Sequence, residues 1–183
     1  MTEKEKMLAG LPYNSYDEEL FAMVTRARDL CIKLNSLPYS DKEGREAIIR
    51  TLLGKCGKNI DICNGFCCDY GCNIEVGENF FCNYNTVILD VCKVKIGDNC
   101  FIAPQVGIYT ACHPLDGRDR LLYELGKPVT IGDNCWIGGM AVINPGVTLG
   151  DMVTVGSGSV VTKSFPSNEV IAGNPAKIIR YLK

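Results

Sequence analysis

A six-residue beat runs through most of the second half of this chain, and few folds can carry it. Aliphatic residues stand at Ile96, Ile102 and Ile108, then again at Ile131, Ile137, Ile143, Leu149, Val155 and Val161. The next position is small or turn-prone: Gly97, Ala103, Gly132, Gly138, Asn144, Gly150 and Gly156. Four residues after each aliphatic comes a second small or apolar side chain: Cys100, Val106, Cys112, Cys135, Ala141, Val147, Val153 and Ser159. A helix repeats every 3.6 residues and a plain strand every 2, so neither gives a strict six. A short fixed period means stacked identical units, each burying its apolar side on the next. The arrangement that fits is a parallel β-helix of triangular section, one hexapeptide to a side. A coil is then about 18 residues and rises about 4.8 Å, the spacing between strands. The run from Ile131 to Val161 predicts about two coils, and the upstream segments about as many again.

Residues 1–55 have a different texture and read as an N-terminal helical segment. Asp17 to Asn35 predicts a helix with Leu20, Met23, Val24, Ala27, Leu30, Cys31 and Leu34 on one apolar face. A second helix is expected from about Asp41 to Leu53, stopped by Gly54. Such a segment would cap the open end of the β-helix and form part of a binding cleft. Residues 56–183 then form the β-helix. Its register already shows at Val76, Cys82 and Ile88, slips by two residues before Ile96, and breaks between Ile108 and Ile131. The break predicts an extruded loop at about 109–130, carrying Asp116, Arg118, Asp119 and Arg120, on the side where solenoids place functional insertions. The tail closes with a turn at Ala172-Gly173-Asn174-Pro175-Ala176 and a short basic end, helical or extended.

A net charge of −2 gives no reason to expect nucleic acid or an anionic membrane as partner. No apolar run reaches the roughly 18 residues that span a bilayer. The charged start MTEKEKMLAG lacks the apolar stretch of a signal peptide, so a cytoplasmic protein is expected. Among eleven cysteines, Cys63, Cys67, Cys68 and Cys72 are spaced unlike common metal sites and have no histidine nearby. Cys82, Cys92, Cys100, Cys112 and Cys135 fall on the interior register, where cysteine serves as a small hydrophobe. No metal site is expected.

Few residues rise above the scaffold. His113 is the one histidine and stands at the root of the extruded loop, before Pro114. A lone histidine is by default a surface residue, but an imidazole on a loop over a groove is well suited to take a proton from a substrate. No residue reads as a covalent nucleophile paired with it. Cys112, by its inward register, would point away.

From end to end the chain resembles the maltose/galactoside O-acetyltransferases of the hexapeptide-repeat superfamily. The resemblance is carried by the opening segment with Tyr13, Asp69-Tyr70-Gly71, Ile74 to Phe80, Asn83-Tyr84-Asn85 and Ile96-Gly97-Asp98-Asn99. It continues through Thr110-Ala111-Cys112-His113-Pro114-Leu115-Asp116, Ile131 to Gly139, Asn144-Pro145-Gly146-Val147 and Ala172 to Ala176. The resemblance implies a mainly β fold, a left-handed parallel β-helix with an N-terminal helical segment. It implies acetyl transfer from acetyl-CoA to a sugar hydroxyl, with His113 as base and direct transfer in a ternary complex. The acceptor positions correspond to Asp69, Phe81 and Asn83. Asn83 could also be a turn-forming asparagine, and Glu124 is either a sugar or imidazole contact or a surface charge. CoA would lie along Gly139, Ser157, Thr162, Lys163, Lys177 and Arg180, in a groove between subunits of a homotrimer. Ser15, Val24 and Val91 stand where galactoside enzymes carry an aspartate, an arginine and an aspartate. Those departures lean away from galactosides and toward maltose-type acceptors. Other readings remain: a xenobiotic or antibiotic acetyltransferase on the same scaffold, or a non-catalytic β-helix. A carbonic anhydrase of the β-helix type needs three histidines around zinc, which one histidine cannot supply.

Overall fold

The repeat winds into a three-sided solenoid whose sides are three parallel sheets, in a computed structural model that describes residues 1–183. The first face stacks Lys55–Cys56, Ile74–Val76, Val94–Ile96, Val129–Ile131 and Thr148–Leu149. The second stacks Asp61–Ile62, Phe81–Cys82, Phe101–Ile102, Trp136–Ile137, Thr154–Val155 and Glu169–Gly173. The third stacks Cys67–Cys68, Val87–Leu89, Gly107–Tyr109, Val142–Ile143 and Val160–Val161. In-register pairing places like on like, with Ile96 on Ile131, Ile102 on Ile137 and Ile108 on Ile143. All six of these side chains are buried in one continuous core, so the hydrophobic gain of each coil depends on its neighbours.

The turn between the first and second faces explains a second regularity. Asn59, Asn79, Asn99 and Asn134 each sit there with φ of 53 to 57°, the left-handed region that asparagine tolerates better than most residues. Their amides form a ladder up the corner, at 2.9, 2.8 and 3.1 Å. Beside it, the carboxylates of Asp98, Asp133 and Asp151 each accept the backbone N–H of the coil below, at 2.7 to 2.8 Å.

The coil count departs from expectation. Three coils, not about two, precede the loop, and they repeat every 20 residues (Lys55 on Glu75, Glu75 on Lys95) where the later ones repeat every 18. The two extra residues bulge at the corner between the third and first faces, in Asp69 to Asn73 and Asp90 to Lys93. Asp90 closes that corner. Fully buried, its carboxylate accepts the backbone N–H groups of Asp69 at 3.0 Å, Tyr70 at 2.9 Å and Asn73 at 3.3 Å.

Three helices precede the solenoid: α1 (Glu3–Leu8), α2 (Glu18–Ser36) and α3 (Lys42–Leu52). The sequence pattern missed α1, a six-residue helix closed by a capping box between Thr2 and Glu5. Asp17 and Asp41 cap α2 and α3 by accepting their first free N–H groups. Ala27, Cys31, Leu34, Ile49, Leu52 and Leu53 join the core of the first coils and cover the open end. Arg45 is buried with them and donates to the carbonyls of Leu34 at 2.9 Å and Ile62 at 2.6 Å, tying the end of α2 to the first coil. At the other end the tail is extended: Glu169–Gly173 and Ala176–Tyr181 form an antiparallel hairpin over the last coil. No helix is long and apolar enough to cross a membrane.

Candidate active site

The break in the period leaves the solenoid as its own small ladder. After Tyr109 the chain turns outward, and Ala111–Cys112 pairs antiparallel with Leu125–Gly126 before the coils resume at Val129. Cys112 therefore belongs to the loop, half-buried, and not to the coil interior expected from its register. Cys82, Cys100 and Cys135 are buried in the coil core, whereas Cys92, also expected there, is buried in a separate cluster at the bulged corner with Met7 and Tyr13. No group of three or more His, Cys, Asp or Glu side chains is placed to hold a metal ion.

His113 follows that ladder directly, exposed, while its neighbour Pro114 is buried and anchors the backbone. Arg120 donates to the carbonyls of Pro114 at 3.1 Å and Leu115 at 3.0 Å, folding the loop back on its own root. Arg118 pairs with Asp116 at the loop surface. His113 lines a cavity of about 220 Å³ with Asn14, Ser15 and Tyr16 on one side and Arg120 to Glu124 on the other. The two sides are joined by Tyr13 and Glu124. Their backbones exchange hydrogen bonds at 3.1 and 2.9 Å, and the Tyr13 hydroxyl donates to Glu124 Oε2 at 3.0 Å. Burial, with the Glu124 charge beside it, pushes the Tyr13 phenol well above its ordinary range, so it stays a donor.

Phe81 and Asn83 lie elsewhere, on the second face. They line a groove of about 350 Å³ with Phe101, Ile102, Ala103 and Trp136. The rings of Phe81 and Phe101 are 6.4 Å apart, and Phe101 and Trp136 pair in register, each more than half exposed. Asn83 Oδ1 accepts the N–H of Tyr84 at 2.8 Å, which is the turn role. That bond leaves the two amide hydrogens of Asn83 for another partner.

Asp69 lines a third cavity, between α2 and the third face. Burial raises its carboxyl above the usual range, the Arg28 charge opposes this, and the Glu124 charge adds to it. A single chain thus brings His113 and Glu124 together but does not bring Phe81, Asn83 or Asp69 into their cavity.

The six positions expected to hold CoA all lie in the coils after the loop and in the closing hairpin. Gly139 and Ser157 occupy successive turns of one corner, where Gly158 donates to the Gly139 carbonyl at 2.8 Å. Thr162 and Lys163 follow the last strand of the third face, with the Lys163 ammonium 5.4 Å from the Phe165 ring. Lys177 and Arg180 are exposed on the closing hairpin. None of the six lines the three cavities that hold the acceptor-side positions.

Sequence reasoning missed the partnership of Tyr13 with Glu124 and the cavity wall at Asn14 and Tyr16, since no local pattern links positions 111 residues apart. The aromatic column had a signal. Phe81, Phe101 and Trp136 each stand one place before an inward aliphatic or cysteine, so they face out on the same side. The departures at Val24 and Val91 fall in one place: both pack in a small apolar cluster with Met7, Tyr13, Leu20, Tyr70 and Cys92.

Residues 6–57 match the maltose acetyltransferase hexapeptide capping motif, and residues 128–163 match a hexapeptide repeat of succinyl-transferase. The galactoside O-acetyltransferase of Escherichia coli is 39% identical over 181 residues, 98% of this chain and 89% of that one. The crystal structure of a maltose O-acetyltransferase from Clostridium difficile 630 superposes with a TM-score of 0.98 at 50% identity, covering 100% of this chain and 98% of the other. A galactoside acetyltransferase in complex with coenzyme A gives 0.96 at 38% identity, with 100% and 92% covered.

Proposed function

The chain belongs to the maltose and galactoside O-acetyltransferase family, and from that footing we propose that it moves an acetyl group from acetyl-CoA to a sugar hydroxyl, with His113 as general base. Membership makes it an acetyltransferase. The observation that carries the finer reading is His113 itself: an exposed imidazole on an anchored backbone, in a cavity walled by the N-terminal segment and the extruded loop.

A hydroxyl is a weak nucleophile, so His113 takes its proton as the oxygen attacks the thioester carbonyl. The carbon–sulfur bond then breaks, and the proton passes from the imidazole to the departing thiolate. The unpaired amide hydrogens of Asn83 suit the oxygen that gains charge in between. Glu124, fixed by Tyr13, orients the acceptor or the imidazole. Cys112 is half-buried in the loop ladder, which favours direct transfer over an acyl-enzyme. CoA takes the coils after the loop and the closing hairpin, with backbone contacts at Gly139, Ser157 and Thr162 and its phosphates near Lys163, Lys177 and Arg180. The galactoside acetyltransferase solved in complex with coenzyme A supports the choice of co-substrate. On this reading residues 1–55 are cap and cleft wall, and residues 56–183 are the scaffold.

His113 and Asn83 serve one reaction only if a second copy supplies part of the site, so we propose a homotrimer joined through the aromatic second face. Trp136, the sole tryptophan, is 55% exposed in the single chain. Its fluorescence emission is expected to shift to shorter wavelength as dilute protein is concentrated into the trimer, in step with sedimentation; an emission independent of assembly would remove that face from the interface. Apolar Val24 and Val91, with Ser15 in the His113 cavity, turn the acceptor toward maltose-type sugars. The reaction is tested by chromatographic assay of CoA released from acetyl-CoA with glucose, maltose, a galactoside and an amine. Sugar-dependent release is expected, and turnover with the amine alone would overturn the sugar reading.

A further inference from the structure

The cavity between α2 and the third face measures about 430 Å³, within the roughly 300–1,000 Å³ of small-molecule sites. Its floor is apolar, from Ile32, Val87 and Leu89, and its two charged walls are Arg28 and Asp69. Arg26, on the same helix, donates to the Thr51 carbonyl at 2.7 Å. Arg28 joins none of the chain's ion pairs. The Asp69 backbone N–H is held by Asp90, while its carboxylate has no partner of its own. Two opposite charges thus flank an apolar floor without closing on each other.

Charge decides what fits between them. An anion would meet Asp69 and a cation would meet Arg28, so either gains at one wall and loses at the other. A neutral polyol meets both: guanidinium only donates, carboxylate only accepts, and each hydroxyl does both. A pyranose ring adds an apolar C–H face for the floor. Tyr70, which follows Asp69 in the chain, packs in one apolar cluster with Tyr13, and the Tyr13 hydroxyl donates to Glu124 in the wall of the His113 cavity, so Asp69 stands on the side toward that cavity.

We propose that the Arg28–Asp69 cavity is a second sugar subsite, holding the ring next to the one whose hydroxyl reacts at His113, so that the enzyme favours a disaccharide over a monosaccharide. This rests on the acetyl-transfer reading for its kinetic arm only. In kinetics with maltose and glucose, Arg28→Ala is expected to lower the maltose-to-glucose ratio of kcat/KM about 10-fold, or about 1.4 kcal/mol, with part of the ratio kept by Arg28→Lys. A ratio unchanged by Arg28→Ala would overturn the subsite. The second arm needs no turnover. Cys67 lines the same cavity and is the one exposed cysteine of the eleven. Maltose is expected to slow its alkylation by iodoacetamide, read by peptide mass spectrometry, in the wild type and much less in Arg28→Ala. If no sugar accepts acetyl while maltose still protects Cys67, the reaction assignment fails and the subsite stands. If maltose gives no protection, the subsite fails.

Discussion

Replacing His113 by alanine is expected to lower sugar-dependent kcat at least ~100-fold, the low end for removing a general base. The size follows from the absence of a substitute. His113 is the only histidine of the chain. Glu124, the one carboxylate that lines its cavity, already accepts from the Tyr13 hydroxyl. The fold should not notice the change, because the side chain is exposed and the backbone is held by buried Pro114, by Arg120 and by the 111–112 with 125–126 ladder. Unchanged thermal melting beside the lost kcat would assign the effect to chemistry. Turnover that survives in the variant would move the base to another group and undo the site as drawn.

The largest effect on stability is expected at Asp90. Its carboxylate satisfies three backbone N–H groups in a dry corner, and an unsatisfied buried donor costs about 1–3 kcal/mol. Asp90→Ala should therefore cost about 3–5 kcal/mol, read as a fall in the urea midpoint. The pH dependence has a definite sign. Burial pushes Asp90 up to about 7, partly opposed by its backbone hydrogen bonds and reinforced by Asp69, against roughly 3.9 in an unfolded chain. Between those values the folded state keeps a proton that the unfolded state has lost, so this group's contribution falls as pH rises from about 4 to about 7 and is flat above. The penalty of Asp90→Ala is thus expected to be larger at pH 5 than at pH 8. An equal or reversed difference would mean that Asp90 is ionised throughout.

The corner that Asp90 closes also holds Asp69, one of the positions proposed for the acceptor. Asp69 and Tyr70 donate to it through their backbones, and Val91 follows it into the apolar cluster that receives Val24. Two positions charged in galactoside enzymes are therefore apolar together here. A charge introduced at buried Val91 alone would be left unpaired, which is costly.

Sequence alone determined the interior. Inward positions of a β-helix repeat because every coil meets a copy of itself, so Ile96, Ile102, Ile108 and their successors announce a core whose neighbours are fixed by the period. The helices were legible for the same kind of reason, since Asp17 and the apolar stripe of α2 act within a few turns of chain. The extruded loop showed as the gap in the beat, and His113 as the one imidazole at its root. Tertiary structure decided what no period constrains: the two-residue bulges that make the early coils 20 residues long, the pairing of Tyr13 with Glu124, the aromatic second face, and the separation of His113 from Asn83 within one chain. Each depends on which outward or corner side chains come to share a surface. That is set by long-range packing between non-repeating residues, and a local sequence pattern carries no record of it.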